Sequence, residues 1–308
     1  SSPAPSSFTG DRAVFIGRNR SLRNPAAMEH AQLSGGASAG LDPCAAVQIT
    51  VQIEPNQDAE VVFLLGQAAD ERQVRSLVRR FRDPANVEAA FMETRRWWDD
   101  LLGAIQVETP ESSANLLLNG WLLYQTLSCR LWGRSAFYQS GGAYGFRDQL
   151  QDVLALVYAA PDLAREHILR AAARQFVEGD VQHWWHPESG AGVRTRISDD
   201  LLWLPFVTAQ YVRTTNDAAI LDEIVPFLEA QPLEENEAES FSVPAISGAG
   251  APLLEHCRRA IARAQTRGPH GLPLIGGGDW NDGLNRVGIG GKGESVWLAW
   301  FQICVLSD

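Results

Sequence analysis

Apolar positions divide the chain before any other feature does. Over residues 13–68 they fall in short runs, at 13–17, 45–53 and 60–65, separated by turns rich in Gly, Pro and Asn. Such runs predict strands, and the second shows period-two alternation. Three strands cannot close a sandwich or barrel on their own, so the segment is expected to be the remnant of a larger all-β unit with more chain upstream. From residue 70 the period lengthens to three and four, predicting linking helices over 70–82 and 86–102. Beyond Pro110 helical stripes recur at 114–131, 148–159, 162–178, 198–213, 218–228, 252–264 and from 295 onward. The connections at 160–161 and 214–217 are short, whereas those at 132–147, 179–197, 229–251 and 265–294 are long. Antiparallel helix pairs joined in this way collect their long loops at one end, where sites are built. The expectation is an α/α toroid after a β-rich segment, divided at 1–69, 70–110 and 111–308. The last apolar helix has no Gly cap or polar final turn and reads as a chain that continues past Asp308.

Composition narrows the function classes. The 308 residues carry 26 Lys+Arg against 37 Asp+Glu, a net charge of −11. Without a basic block there is no counterion-releasing surface for nucleic acid or anionic lipid. Apolar runs such as 61–65 fall short of the ~20 residues that cross a bilayer, so this segment is expected to make no direct membrane contact. Residues 1–7 are small, polar and Pro-containing, lacking the basic start and apolar stretch of a signal peptide; they read as a linker. Cys44, Cys129, Cys257 and Cys304 stand singly, in no metal-binding spacing. Ten tryptophans against two methionines fit either a large core or stacking platforms for sugars.

Three loops hold the chemistry. The first, Phe137-Tyr-Gln-Ser-Gly-Gly-Ala-Tyr-Gly-Phe-Arg-Asp148, sets glycines before an Arg-Asp pair at a helix start. Arg147 offers a planar fork of donors and Asp148 an acceptor for adjacent sugar hydroxyls; equally, Asp148 could cap the helix and Arg147 pair locally. The second, Gly276-Gly-Gly-Asp-Trp-Asn-Asp-Gly-Leu-Asn-Arg286, places Asp279, Trp280 and Asp282 on a glycine-rich turn. Glycosyl transfer needs a carboxylic acid in apolar surroundings, which Trp280 can wall; the alternatives are a calcium loop, poorly matched in its ligands, or an Asx turn. The third, residues 183–200, holds His183, His186, Arg194, Arg196, Asp199 and Asp200. A His pair three apart without a third ligand is a weak metal signal, so no metal is expected. Arg194 and Arg196 fit sugar or phosphate contacts as well as they fit ion pairs, and Ser198 or Asp199 can cap the next helix.

Taken together, the Phe137–Asp152 stretch, His183-Trp-Trp-His186, Arg194-Thr-Arg-Ile-Ser-Asp-Asp-Leu-Leu-Trp-Leu-Pro205 and Gly278-Asp-Trp-Asn-Asp-Gly283 resemble glycoside hydrolase family 94, which holds cellobiose and chitobiose phosphorylases. Phe8-Thr-Gly-Asp-Arg-Ala-Val-Phe-Ile-Gly-Arg-Asn19 and Gly40-Leu-Asp-Pro-Cys44 resemble more narrowly the phosphorylase-like C-terminal region of cyclic β-1,2-glucan synthases. The resemblance implies a mainly α fold, a partial (α/α)6 barrel preceded by the end of a β-sandwich and linker helices. It implies inverting phosphorolysis of a β-glucoside to α-glucose 1-phosphate, with inorganic phosphate as co-substrate, a β-linked gluco-oligosaccharide as partner and no cofactor. By its motifs Asp282 would be the general acid, while Arg147, Asp148, Trp280, Arg134, Arg194, Arg196 and Asp199 would line the substrate. It places the catalytic loop on the same end as the Arg-Asp loop, which requires 218–251 to be an excursion between barrel helices. It places later helices and phosphate-binding His and Thr-Gly segments beyond Asp308. It also implies the cytoplasm, as a free protein or the cytoplasmic part of an inner-membrane one, and leaves a homodimer open. Two other readings stand beside it: a hydrolase in which Asp199 or Asp200 activates water, and a non-catalytic glucan-binding domain.

Overall fold

The computed structural model describes residues 4–134 and 141–308. The chain forms two compact units, Ser1–Trp97 and Trp98–Asp308.

In the first unit β1 (Ser7–Asp11) pairs antiparallel with β2 (Pro43–Gln48), Phe8 opposite Val47. Between them α1 (Arg12–Ile16) occupies a segment whose apolar run predicts a strand. The Asp11 carboxylate accepts from the Val14 N–H at 3.1 Å and Gly17 leaves the turn at φ +82°. A side-chain cap at one end and a glycine at the other outweigh β-propensity over five residues. The run at 60–65 holds only a bridging residue, Val62, Leu65 is 98% exposed, and no named strand among the described residues includes the run. Helix α2 (Glu71–Phe81) starts where Asp70 accepts from the Gln73 N–H at 2.7 Å. Helix α3 (Pro84–Gly103) begins in this unit and ends in the second.

The second unit opens with α4 (Ser112–Leu116) and α5 (Leu122–Gln125), joined and followed by wide π-type turns at Leu117–Trp121 and Thr126–Trp132. The single helix expected at 114–131 is therefore kinked. The cause is Asn119, whose amide bonds both the N–H and the C=O of Val107, at 2.7 and 2.8 Å, beside a non-helical Gly120. There follow β3 (Tyr144–Gly145), α6 (Phe146–Val153), α7 (Leu156–Ala159), α8 (Pro161–Ala172), β4 (Gln182–Trp185), β5 (Gly192–Thr195) and α9 (Asp200–Thr215). Then come β6 (Ile224–Glu229), β7 (Glu239–Ser242), β8 (Ala245–Pro252), α10 (Leu253–Ala264) and α11 (Val296–Ser307).

Helix α9 is the hub of the core. It packs against α6, α8, α10 and α11, and Phe146, Leu150, Ile168, Leu204, Val207, Leu253 and Leu298 meet there with no exposed surface. The long connections are partly sheet. Strands β3, β4, β5 and β7 form one antiparallel sheet in that order. The helix expected at 218–228 is corrected to a 3-10 turn at Ala218–Asp222 followed by β6, antiparallel to β8. Asn216 ends α9 in the left-handed region, and Pro226 has no N–H to continue a helix. Residues 218–252 therefore leave the helical packing as a strand-rich excursion before α10 resumes it.

Candidate active site

A cleft of about 1120 Å³ in the second unit is lined by residues of β4, β5, the β6–β7 connection and the loop between α10 and α11. Two of its walls are stitched together along the backbone. The Gly277 N–H donates to the Arg196 carbonyl at 2.8 Å, and both the N–H and the hydroxyl of Ser198 donate to the Gly278 carbonyl. Gly276 sits at φ +63°, where a Cβ would stand 2.1 Å from the Arg196 carbonyl oxygen; only glycine permits that approach. Further along, Asp279 is a staple. One carboxylate oxygen accepts from Ser295 Oγ at 2.6 Å and the other from the Asn281 N–H at 3.0 Å. Ser295 in turn caps α11 through the Leu298 N–H. The loop is thus held at both ends and presents Asp282 between them.

Arg147 is the centre of the charged group. It lies in the first turn of α6, 6% exposed, and its guanidinium forks onto Asp282 with bonds of 2.8 and 3.0 Å. It also reaches Asp199 at 3.4 Å and the Asp279 carbonyl at 3.3 Å. Burial works against its charge, but Asp282, Asp199 and Asp200 outweigh it and hold Arg147 above the usual arginine range. Asp199, with no exposed surface, accepts a bond from Trp203 Nε1 at 3.0 Å. Burial and the neighbouring Asp200 push its carboxyl up, against the pull of Arg147 and Trp203. Asp282 differs: its side chain is 49% exposed.

The other expected ligands are scattered in role. Asp148 is exposed in the first turn of α6, one residue past Arg147, and does not cap the helix. Its carboxylate lies over Gly145, where a Cβ would stand 2.4 Å from Oδ2. Trp280 is 54% exposed on the loop that carries Asp279 and Asp282, so its indole face is open. Arg134 donates to the Gly142 carbonyl at 2.7 Å and to Glu188 at 2.8 Å, with its guanidinium 5.4 Å from the Tyr144 ring. The Phe137–Ser140 part of the glycine motif lies outside the described residues.

Of the two readings open for Arg194, the observed bonds match the ion pair. It is 3% exposed and spends its donors on both oxygens of Asp180, at 2.7 and 2.6 Å, on Glu178, and on the carbonyls of Ala230 and Gln231. Its lower face covers Phe176 at 3.9 Å. A guanidinium has five N–H donors, and none remains for a sugar or phosphate. Arg196 likewise braces backbone, donating to the carbonyls of Glu237, Leu233 and Glu234.

Sequence reading overlooked a pair on the cleft wall. His183 Nδ1 lies 2.7 Å from Asp200 Oδ2, and burial, which lowers the imidazole, is outweighed by Asp200 and Asp282, raising it to about 9. The spacing of 17 residues between a strand and a helix start gave no local signal. Trp203, four residues after Asp199 on α9, was legible as a same-face neighbour.

Comparison with known proteins agrees with the motifs. The glycosyl hydrolase 94 catalytic-domain model matches residues 97–308, and the glycosyl hydrolase 94 supersandwich-domain model residues 1–84. A cyclic beta-(1,2)-glucan synthase, NdvB of Rhizobium meliloti (strain 1021), is 47% identical over 296 residues, 96% of this chain and 10% of that one. An N,N'-diacetylchitobiose phosphorylase of Vibrio proteolyticus is 26% identical over 333 residues, 99% of this chain and 39% of that one. A 1,2-beta-oligoglucan phosphorylase of Listeria innocua serovar 6a is 28% identical over 152 residues, 47% of this chain and 13% of that one. The chain thus spans a tenth of the length of the synthase and about two fifths of the chitobiose phosphorylase. No helix among the described residues is long and apolar enough to cross a membrane. With its catalytic-domain match over more than half its length, the chain belongs to the glycosyl hydrolase 94 superfamily.

Proposed function

We propose that the cleft serves inverting phosphorolysis of β-glucosidic bonds, giving α-glucose 1-phosphate, with Asp282 as general acid. The carrying observation is the unequal exposure of the aspartates around Arg147. Asp199 and Asp200 are 0% and 1% exposed and engaged by Arg147, Trp203 and His183, whereas the Asp282 side chain is 49% exposed. An inverting hydrolase needs a second carboxylate facing the cleft to activate water; phosphate is already an anionic nucleophile and needs only the acid. Asp199 is sealed behind Arg147 and Trp203, and Asp200, although it borders the cleft, is 1% exposed with one oxygen held by His183, which disfavours the hydrolase reading. In the reaction a phosphate oxygen forms a bond to the anomeric carbon as the bond to the leaving oxygen breaks, and Asp282 gives its proton to that oxygen. A guanidinium has no acceptor for a carboxyl O–H, so in its acid form Asp282 keeps at most its C=O on Arg147 and the two-oxygen fork opens, freeing an Arg147 donor for the substrate. Asp148 and Trp280 would flank the donor sugar, one by its acceptor oxygens and one by its indole face.

The relatives named above, a cyclic β-1,2-glucan synthase and a 1,2-β-oligoglucan phosphorylase, support a β-1,2-linked substrate, on which phosphorolysis would act as chain-length control. The packing of α6, α8, α10 and α11 around α9 supports a portion of an (α/α)6 barrel within 111–308, after linker helices at 70–110 and the end of a β-sandwich at 1–69. The phosphate requirement favours the cytoplasmic side. The test is release of glucose 1-phosphate from short β-1,2-glucan by the intact protein bearing this sequence, with and without inorganic phosphate. Phosphate-dependent product, reduced by a factor of about 10² to 10⁴ in Asp282→Asn, is expected. Free glucose formed without phosphate would move the assignment to a hydrolase, and a folded protein that binds glucan without turning it over would leave a binding domain.

A further inference from the structure

His183 has no task in that mechanism, yet the structure fixes it with care. Asp200, its partner at 2.7 Å, is 1% exposed in the first turn of α9. The other Asp200 oxygen is sealed from solvent without a hydrogen-bond partner among the described residues. His183 is thus the side chain hydrogen-bonded to this buried carboxylate, and since a carboxylate only accepts, a proton lies on Nδ1. With Nδ1 committed, the ring meets a ligand through Nε2 alone. Nε2 has no partner among the described residues, and His183 lines the same cleft as Asp200 and Asp282. Asp282 and Arg147 lie near enough for their charges to act on the ring, and the buried Asp200 carboxylate 2.7 Å from Nδ1 favours the doubly protonated form, in which Nε2 also carries a hydrogen.

The place of Asp282 decides what that donor meets. In an inverting displacement the nucleophile and the acid act on opposite faces of the sugar. A donor on the Asp282 side therefore belongs to the leaving sugar and not to the incoming phosphate. We propose that His183, oriented by Asp200, is a specificity residue whose Nε2–H donates to a hydroxyl of the leaving sugar beside the bond being cut. The inference rests on Asp282 being the acid.

Two substitutions separate this contact from a structural role. The amide of Asn can reproduce the Nδ1 donor to Asp200 while deleting Nε2–H; the amide of Gln can reach where Nε2 stood. In the intact protein, synthesis from glucose 1-phosphate is followed against a β-1,2-linked glucose disaccharide as acceptor, and phosphorolysis against inorganic phosphate. His183→Asn is expected to raise the acceptor KM about 10- to 100-fold and to leave the phosphate KM within about twofold, with partial recovery in His183→Gln. An unchanged acceptor KM, or a rise in the phosphate KM instead, overturns the inference. If the wild type folds but does not turn over, the phosphorylase reading fails by itself. Calorimetry with the disaccharide then decides: weaker binding by His183→Asn supports the contact, and equal binding ends it. If His183→Asn fails to fold, His183→Gln with weakened disaccharide affinity against the wild type supports it, and unchanged affinity overturns it.

Discussion

Arg147 and Arg194 stand in one unit with similar chemistry around them. Each is nearly sealed from solvent, at 7% and 2% side-chain exposure, and each faces two carboxylates. The difference lies in what those partners can do. Arg194 holds Asp180 through both oxygens, holds Glu178, and fills its remaining donors with two carbonyls. Every donor ends on a protein atom with little freedom to leave. Arg147 has one immovable partner, Asp199, whose oxygens lie 3.4 Å away, and one at 2.8 Å that can swing into the cleft, Asp282. A buried cation becomes available to a ligand when one of its acceptors can be exchanged, and degree of burial alone does not distinguish the two cases.

The largest effect should fall on stability at the closed centre. Arg194→Met leaves Asp180 buried without its cation, which costs on the order of 3 kcal/mol, read as a lower midpoint in urea unfolding of the intact protein. Turnover by the fraction that remains folded is expected to stay within a few-fold of wild type. A loss of substrate affinity at unchanged stability would mean that Arg194 does meet the ligand and that the two arginines are alike.

Next in size is the open centre. Arg147→Lys keeps the charge but not the fork, so Asp282 and the substrate can no longer exchange on two parallel bonds. Glucose 1-phosphate formation is expected to fall about 100-fold, while the melting temperature moves by a few degrees at most. If stability falls as far as in Arg194→Met, the exchange argument fails and Arg147 is structural too.

A pH measurement sharpens the comparison through the pair that flanks Arg147. The folded value of His183 is raised to about 9, burial being outweighed by Asp200 and Asp282 with Arg147 opposing. For a group whose folded value lies above its unfolded one, the stabilisation is complete below the unfolded value, ~6.5, and vanishes as pH rises through the folded value. Thermal melts should therefore lose a few degrees between about pH 6.5 and 9, and His183→Asn, which cannot titrate, should flatten that loss. No comparable slope is expected to change in Arg194→Met, because neither centre partner there is a histidine.

Much of this was legible and some was not, for reasons that can be named. Helices α2, α10 and α11 follow the apolar stripes closely, two of them with a side-chain cap where Asp70 and Ser295 stand. The family was legible because Arg147-Asp148 and Gly278-Asp-Trp-Asn-Asp-Gly283 are contiguous text. Strands β4, β5 and β7 were not, because each has four residues and owes its existence to partners brought from elsewhere. The register of Arg194 opposite Ser240 joins residues that no local pattern connects. The same limit applied to the charges. Sequence shows that Arg194 and Arg196 are cations on a candidate loop, but whether their donors are already spent depends on Asp180, Glu178 and the carbonyls of 230–237, which only the fold assembles.

Arg196 supplies the smallest effect and a third case. Its guanidinium, on an exposed residue, braces the carbonyls of Glu237, Leu233 and Glu234, the first two from residues that line the cleft. Those carbonyls can take water instead, so Arg196→Ala should change unfolding free energy by no more than about 0.5 kcal/mol. Loosening the 233–237 rim should still blunt substrate affinity, by a few-fold in KM with little change in kcat. A cost matching that of Arg194→Met would mean the brace is buried in effect, whereas a tenfold or larger rise in the phosphate KM at unchanged stability would restore Arg196 as a ligand contact. With neither outcome, the three arginines are ordered by how replaceable their acceptors are: fixed carboxylates at Arg194, one mobile carboxylate at Arg147, and solvent-exchangeable carbonyls at Arg196.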